Sequence, residues 1–328
     1  MADTRMADDG AAARQRVAVV VATHDYCYPM EKCLAGFAAQ LPSPADVILV
    51  DNGSQGKVSR WAEEHAPHVT TLVRAANGFF CGGYNEGLRH AIAAGYDFAL
   101  IVNADTEASN PRLVEQLLEV ARRHPRAAFI GPQVYLREPG NVQNTVLEYP
   151  SFLRSAWSFV RFKFLRGVPA RSDGREREVE FLNGVCVLCR ISALREIGLL
   201  DEAMGGYVED TDWSWRARAL GWTSVYTPLP SIIHHQPEAG YEHYSMKCFM
   251  LRRNTIYWHR KRGARLEAAL YGWSARLIAR WRAVRAALTG RQDRDRFVAF
   301  ARRLATVDRS IRRGRPLGEW FGPPFANR

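Results

Sequence analysis

Val17-Ala18-Val19-Val20-Val21-Ala22, closing in Thr23-His24-Asp25, is the stretch that decides the fold. Six consecutive apolar residues, four of them valine, suit a strand buried on both faces, as in a parallel sheet. Two later runs repeat the pattern. Val47-Ile48-Leu49-Val50 ends in Asp51-Asn52-Gly53-Ser54, and Phe98-Ala99-Leu100-Ile101-Val102 ends in Asn103-Ala104-Asp105. Between them the apolar spacing turns helical. Pro29 suits a first helical turn, and Met30, Cys33, Leu34, Phe37 and Leu41 then share one face. A helix through Val58 to His65, a short strand at Val69 to Val73, and a glycine-rich Asn77-to-Gly87 segment opening a helix to Ala94 complete the alternation. Strands and helices alternating at these lengths predict a parallel α/β sheet with right-handed crossovers. Ligands of such sheets gather beyond the carboxyl ends of the strands. All three ends carry polar turns here: Thr23/Asp25, Asp51/Asn52 and Asn103/Asp105. One aspartate at a strand end is ordinarily a cap or turn residue; three on one edge point to a site.

The rest of the 328-residue chain bounds what that site serves. A hydrophobic fraction of 47% supports a sizeable core. No run approaches the roughly 20 apolar residues of a membrane-spanning helix, and Met1 to Arg16 reads as a loose polar tail without a secretory apolar stretch. Of the six cysteines, Cys186 and Cys189 form a lone C-x-x-C with no second pair to complete a zinc site. Buried free thiols in a reducing cytosol are expected. The net charge of +11 is uneven: Leu251 to Arg328 holds 20 of the 45 basic residues and 5 of the 34 acidic ones. An anionic partner surface at that end follows.

Past Pro132 the pattern weakens through an aromatic, basic stretch (Tyr149 to Arg166) and a polar loop (Ala170 to Glu178). Apolar periodicity resumes from Val179 to Leu188, and a helix over Ser192 to Ile197 precedes Gly198, Asp201 and Glu202. Glu209-Asp210-Thr211-Asp212 then opens a helix to Leu220, which Gly221 closes.

Taken in order, a strand ending in Thr23, Val50 to Ser54, Asn77 through Gly83 to Asn85, Asn103-Ala104-Asp105, Gly184, Asp201-Glu202, Tyr207 to Asp212, Ile233-His234-His235 and Arg253-Asn254 resemble the family 2 glycosyltransferases, and within them the rhamnosyltransferase-like members. The resemblance implies a GT-A fold: a Rossmann-like, mostly parallel sheet flanked by helices over residues 17–260. Its nucleotide-binding half would be 17–131 and its acceptor-binding half 132–260, with a basic helical extension over 261–328. It also implies inverting transfer of a (deoxy)hexose from a UDP- or dTDP-sugar to an acceptor hydroxyl.

Each site residue has a chemical reason beside the resemblance. Asp51 can accept from a pyrimidine N3–H, and Thr23 adds a hydroxyl nearby. Asn52, Asn77 and Asn85 flank a glycine-rich loop where backbone can come close to the nucleotide, and Arg253 joins this donor set. A diphosphate leaving group needs positive charge, which Mg²⁺ or Mn²⁺ on Asp105 supplies economically; Asn103 is left for the ribose or a phosphate. The resemblance adds a second metal ligand after a strand, where the Ile-x-His ending favours His235 over His234. Inversion needs one base. Asp210 is assigned that part, with Glu209, Tyr207, Gly184 and Trp213 on the acceptor side; the alternative is that Glu209, Asp210 and Asp212 only cap their helix. Two departures stand out. Phe79 occupies a position where glycine is common, with Cys81 close by, and Met204-Gly205 replaces bulky aromatics, which enlarges the expected acceptor pocket.

From Ala264 the chain reads as helix. Leu266, Leu270, Trp273, Leu277, Trp281, Val284 and Leu288 make one narrow stripe flanked by Arg265, Arg276, Arg280 and Arg285. The stripe either lies on an anionic membrane or packs on the catalytic domain. A cytoplasmic protein is expected in either case; the first alternative makes it peripheral to the inner membrane face, with a lipid-linked glycan as acceptor. Nucleic acid is not expected, because no reading motif accompanies the charge. A polyprenyl-phosphate sugar synthase and a non-catalytic nucleotide-sugar or glycan-binding protein remain as alternatives. The paired Asp105 and Asp210 argue against the binding protein, which has no use for a base. A nucleotidyltransferase would need a phosphate-gripping loop after the first strand, and Val21 to Asp25 is not one.

Overall fold

The computed structural model describes residues 15–25, 29–152, 174–236 and 241–288. The expected tail over 1–14, the aromatic and basic stretch over 153–173, and the extension from 289 onward lie outside them. Arg16, expected in the tail, is anchored: its backbone N–H donates to Asp97 Oδ2 at 2.8 Å and its guanidinium covers the Tyr96 ring.

The elements follow in chain order. Strand β1 (Val17–Thr23) leads to helix α1 (Met30–Ala38), β2 (Val47–Asn52), α2 (Lys57–His65), β3 (Thr70–Arg74), α3 (Phe79–Ala93) and β4 (Phe98–Asn103). Then come β5 (Thr106–Ala108), α4 (Leu113–Arg123), β6 (Ala127–Leu136), β7 (Val142–Gln143) and β8 (Val146–Leu147). The second half holds β9 (Arg177–Val179), β10 (Phe181–Leu182), β11 (Cys186–Arg190), α5 (Ile191–Ile197), α6 (Glu209–Ala219) and β12 (Thr223–His234). Two long helices end the described chain, α7 (Tyr241–Lys261) and α8 (Arg265–Leu288).

One sheet runs through both halves in the order β3-β2-β1-β4-β11-β6-β12-β5, with β7 on β6 and β9 on β12. The valine-rich β1 pairs parallel with β2 on one side and β4 on the other, as its double-sided burial predicts. Its side chains alternate between two cores. Val17, Val19 and Val21 face α1, α2 and α4, while Ala18 and Val20 face α3 and the helices of the second half. Gly87 of α3 lies so close to β1 that a β-carbon there would collide with Val20.

The second half departs from the parallel expectation. β11 runs antiparallel between β4 and β6, and β5 antiparallel to β12, so the sheet is mixed. The apolar run from Val179 to Leu188 is no single strand; it divides into β9, β10 and β11, with Asn183 and Gly184 in the break. Cys186 and Cys189 are buried in β11 as free thiols, and burial pushes both up. Helix α7 runs across the boundary expected at 260 and packs against α8. No helix among the described residues is long and apolar enough to cross a membrane.

Candidate active site

Strand register builds the site. Thr23 pairs with Asp51, and Ala22 with Asn103, so the three polar strand ends read from the sequence stand on one carboxyl edge. The Asn103 N–H donates to Val185 O at 2.9 Å, which brings Asn183 and Gly184 to that edge although β11 runs the other way. β12 ends there too, with His234 opposite Thr106.

On the side expected to take the donor, Asp51 holds its own loop together. Its carboxylate accepts from the Ser54 N–H (2.9 Å), the Ser54 hydroxyl and the Ser59 N–H (3.1 Å), and the residue has no exposed surface. In the chain itself Asp51 organises the turn into α2. Asn52 reaches across to the glycine-rich segment. Its Nδ2 donates to Phe79 O (2.8 Å) and Asn77 Oδ1 (3.3 Å), and its Oδ1 accepts from the Gly78 N–H (3.0 Å). Asn77 Oδ1 also accepts from the Phe79 N–H at 2.7 Å. Phe79, where glycine was expected, has φ +55. The backbone keeps the glycine conformation and the asparagines hold it, at a cost of about 1–3 kcal/mol.

Asn85 also serves the scaffold, bonding both backbone polar atoms of Leu200 and donating to Glu202 Oε1. Thr23 is half-buried, and its hydroxyl donates to Asp25 O. Asn103 is half-buried and accepts from the Tyr84 hydroxyl at 3.3 Å.

Asp105 lies 3.2 Å from a histidine nitrogen, and that histidine is His234. The favoured His235 donates its backbone N–H to Asp105 O at 2.8 Å, while its ring sits 3.2 Å from Glu107. The reason is strand alternation. His234 shares the buried face with Ile232, and His235 the more open face with Ile233. His234 Nδ1 is held by Gln143 Oε1 at 2.8 Å, which leaves Nε2 for the Asp105 side. One hard carboxylate oxygen and one imidazole nitrogen, from two facing segments, make a fitting donor set for a Mg²⁺ or Mn²⁺ whose other ligands are phosphate oxygens and water. Among the described residues no group of three or more His, Cys, Asp or Glu forms a ligand cluster by itself.

The side expected to take the acceptor is a strained loop. Tyr207 and Val208 have φ +66 and +74 directly before α6, an uncommon conformation for non-glycine residues and rarer for a β-branched one. Asn254, wholly buried on α7, donates through Nδ2 to the carbonyls of Met204, Gly206 and Tyr207, each at 2.8 Å. Arg253, expected to bind donor, instead donates to Ala203 O and Asn254 Oδ1, both at 2.6 Å. Trp213, expected at the acceptor, is a core residue: it is buried, donates to Gly198 O and packs on Phe129. The carboxylate of Asp212 is taken by Arg216 and Lys261. Gly205 has φ +68 and its carbonyl accepts from the Cys81 N–H at 2.8 Å, so this glycine joins the two loops.

Asp210 stands at the mouth of this loop. Its carboxylate accepts from the Thr211 N–H at 2.7 Å, the Thr211 hydroxyl and the Gly184 N–H. Burial outweighs these bonds and pushes it up to about 6. Glu209 beside it is more deeply buried and is also pushed up, by burial first and then by the Asp210 charge; its Oε2 has no hydrogen-bond partner among the described residues. The contact with Gly184 and the bond from the Asn103 N–H to the Val185 carbonyl place Asp210 on the same sheet edge as Asp105. Phe80, which the sequence reading passed over, forms a wall between the loops: a β-carbon on Gly184 or Gly206 would meet its side chain at 3.0 and 3.4 Å. Only its place after a glycine-rich turn could have signalled it.

Residues 14–250 match the family described as glycosyltransferase-like family 2. The N-acetylglucosaminyl-diphospho-decaprenol L-rhamnosyltransferase of Mycobacterium tuberculosis is 30% identical over 269 residues, 73% of this chain and 85% of that protein. A low-salt glycan biosynthesis hexosyltransferase of Haloferax volcanii is 22% identical, over 79% of this chain and 81% of its own. Among solved structures, the Pyrobaculum calidifontis mannosyltransferase in complex with GDP-Man and Mn²⁺ superposes with TM-score 0.50 at 16% identity, over 92% of this chain and 88% of that one. GalNAc-T7 with UDP, GalNAc and Mn²⁺ gives 0.55 at 10% identity, over 75% of this chain and 48% of that one. At such identities the shared property is the GT-A fold.

Proposed function

The chain belongs to glycosyltransferase-like family 2, and from that premise we propose that it is an inverting enzyme that moves a (deoxy)hexose from a nucleoside-diphosphate donor to a hydroxyl of a lipid-linked glycan. The observation that carries this reading is Asp210, a carboxylate raised to about 6 on the edge shared with Asp105 and His234. A base is most useful when its pKa lies near the working pH, being ionised and still basic enough to take a proton. Above about pH 6 Asp210 takes the acceptor hydroxyl proton as the oxygen attacks the anomeric carbon from the face opposite the leaving diphosphate. Glu209 beside it is also pushed up, by burial and by the Asp210 charge, so the two carboxylates titrate as a pair.

Asp105 and His234 are the residues that would hold a divalent cation. Such an ion would supply positive charge to the departing diphosphate. Asn103 is left for a ribose or phosphate oxygen, and Thr23, Asn52 and Asn77 for the edge against which the nucleoside lies. Tyr207, Gly184 and Phe80 border the acceptor.

The support for a lipid-linked glycan is the mycobacterial relative, whose named acceptor is a decaprenol-linked saccharide. A polyprenyl-phosphate sugar synthase, with phosphate as the acceptor, is the second reading. The test is a thermal-shift screen of UDP- and dTDP-(deoxy)hexoses, with a GDP-sugar as the purine control, each with and without Mn²⁺. Stabilisation of about 2.7 kcal/mol is expected at a hundredfold excess over Kd, followed by turnover on a polyprenyl-diphosphate saccharide. Transfer to bare polyprenyl phosphate alone would favour the second reading, and no shift with any donor would overturn both.

A further inference from the structure

Helix α8 has two apolar faces. Ala268, Gly272, Ala275 and Ile278 are buried, and a β-carbon on Gly272 would lie 3.7 Å from Ile256 of α7. On the opposite side Leu266, Trp273, Leu277, Trp281, Val284 and Leu288 are all exposed, from 50% at Trp281 to 82% at Leu288. The sequence left open whether this stripe packs on the domain, and over 265–288 the inward face is the other one. The stripe extends along about 30 Å of helix. Single exposed leucines are ordinary, but a continuous apolar stripe marks a surface that meets something.

The chemistry around it selects the occupant. Arg265, Arg276 and Arg280 run along one margin and Arg285 along the other, with the Arg285 guanidinium 5.5 Å from the Trp281 ring centre. Glu267 is the one acidic residue in the helix. It is used inward, on Arg262 and on His259 at 2.7 Å. A second copy of this helix laid on the stripe would bring arginine rows together and repel. Tryptophan on an apolar face edged by arginine suits the boundary between headgroups and acyl chains of an anionic bilayer.

We propose that this face of α8 docks on an anionic membrane surface, with Trp273 and Trp281 at the headgroup level and the arginines on lipid phosphates. The packed neighbour α7 carries Asn254, which holds the Tyr207 loop, so docking sets the acceptor side of the site one helix away from the bilayer. That last consequence rests on the proposed activity; the docking itself does not.

The experiment is co-sedimentation of the full chain with vesicles of phosphatidylcholine alone or with about one-third phosphatidylglycerol. Binding to the anionic vesicles, weakened by salt, is expected. Arg276→Gln and Arg280→Gln should each lower the partition coefficient about fivefold, and the double variant Trp273→Ser, Trp281→Ser at least about tenfold. Unchanged thermal melting of that double variant shows that it folds. Equal binding to both vesicle types, retention of binding by the tryptophan variant, or an apolar-stripe dimer in sedimentation equilibrium without lipid binding would each overturn the proposal. The donor thermal shift on the same preparation separates this failure from failure of the transferase reading.

Discussion

Two loops meet at the centre of this molecule, and each is a strained backbone held by a buried asparagine. On the donor side Asn52 clamps Phe79 at φ +55; on the acceptor side Asn254 clamps the carbonyl of Tyr207 at φ +66, directly before Val208 at +74. The Cys81 N–H to Gly205 carbonyl bond ties one loop to the other. They differ in what their carboxylates do. Asp51 is wholly buried and every bond it accepts comes from its own turn, which makes it architecture. Glu209 and Asp210 are given too few donors for their burial, and both are pushed up. Buried charge that is satisfied shapes a fold, while buried charge left short of partners is held ready for a proton.

The contrast breaks most visibly at Asp210. Asp210→Asn should lower turnover by about a thousandfold while the donor-induced thermal shift survives; a loss of both together would make Asp210 a structural residue. In the unaltered enzyme kcat/KM should rise with pH and level off above about 6, the value to which burial lifts this carboxylate, as read from a pH–rate profile.

The clamps come next. Asn254→Ala removes three hydrogen bonds and releases strained backbone, so urea unfolding should show a loss of about 3 kcal/mol, with kcat falling more than donor affinity. Asn52→Ala should cost about 2 kcal/mol, because Asn77 still holds the Phe79 N–H, and should raise the donor KM rather than lower kcat. Identical kinetic signatures would erase the distinction between the loops.

His234→Ala should raise the Mn²⁺ concentration for half-maximal activity about tenfold or more, and His235→Ala should change it little. Equal effects would return the metal reading to both histidines.

The smallest effect is on stability. The folded Asp210 binds its proton more tightly than the unfolded chain does, so its contribution is full below about pH 4 and is lost as pH rises through about 6. Asp210→Asn should therefore melt a few degrees above the unaltered chain at pH 7, and the gain should vanish near pH 4.

Much of the donor half was legible because its signal is local. Four valines in six residues can hardly do other than build a strand buried on both faces, and a helix after each strand fixes which edge the polar ends share. Asp105 and Asp210 were found as carboxylates at element ends for the same reason. The acceptor half was less legible. The break at Asn183-Gly184 and the reversal of β11 depend on partners far along the chain. Trp213 and Arg253 carry interaction chemistry in their side chains, but packing spends one in the core and the other on the Ala203 carbonyl.

The sequence by itself determined the α/β alternation, the polar carboxyl edge, the acidic pair that opens α6 and the arginine-flanked apolar stripe of the last described helix, because these are set by neighbours within a turn or a strand. Tertiary structure alone decided that Asp51 turns inward to its loop, that His234 rather than His235 meets Asp105, and that the tryptophan stripe of α8 faces outward. In each case several side chains could have made the contact, and which one did was settled by strand register and by which face another element covered.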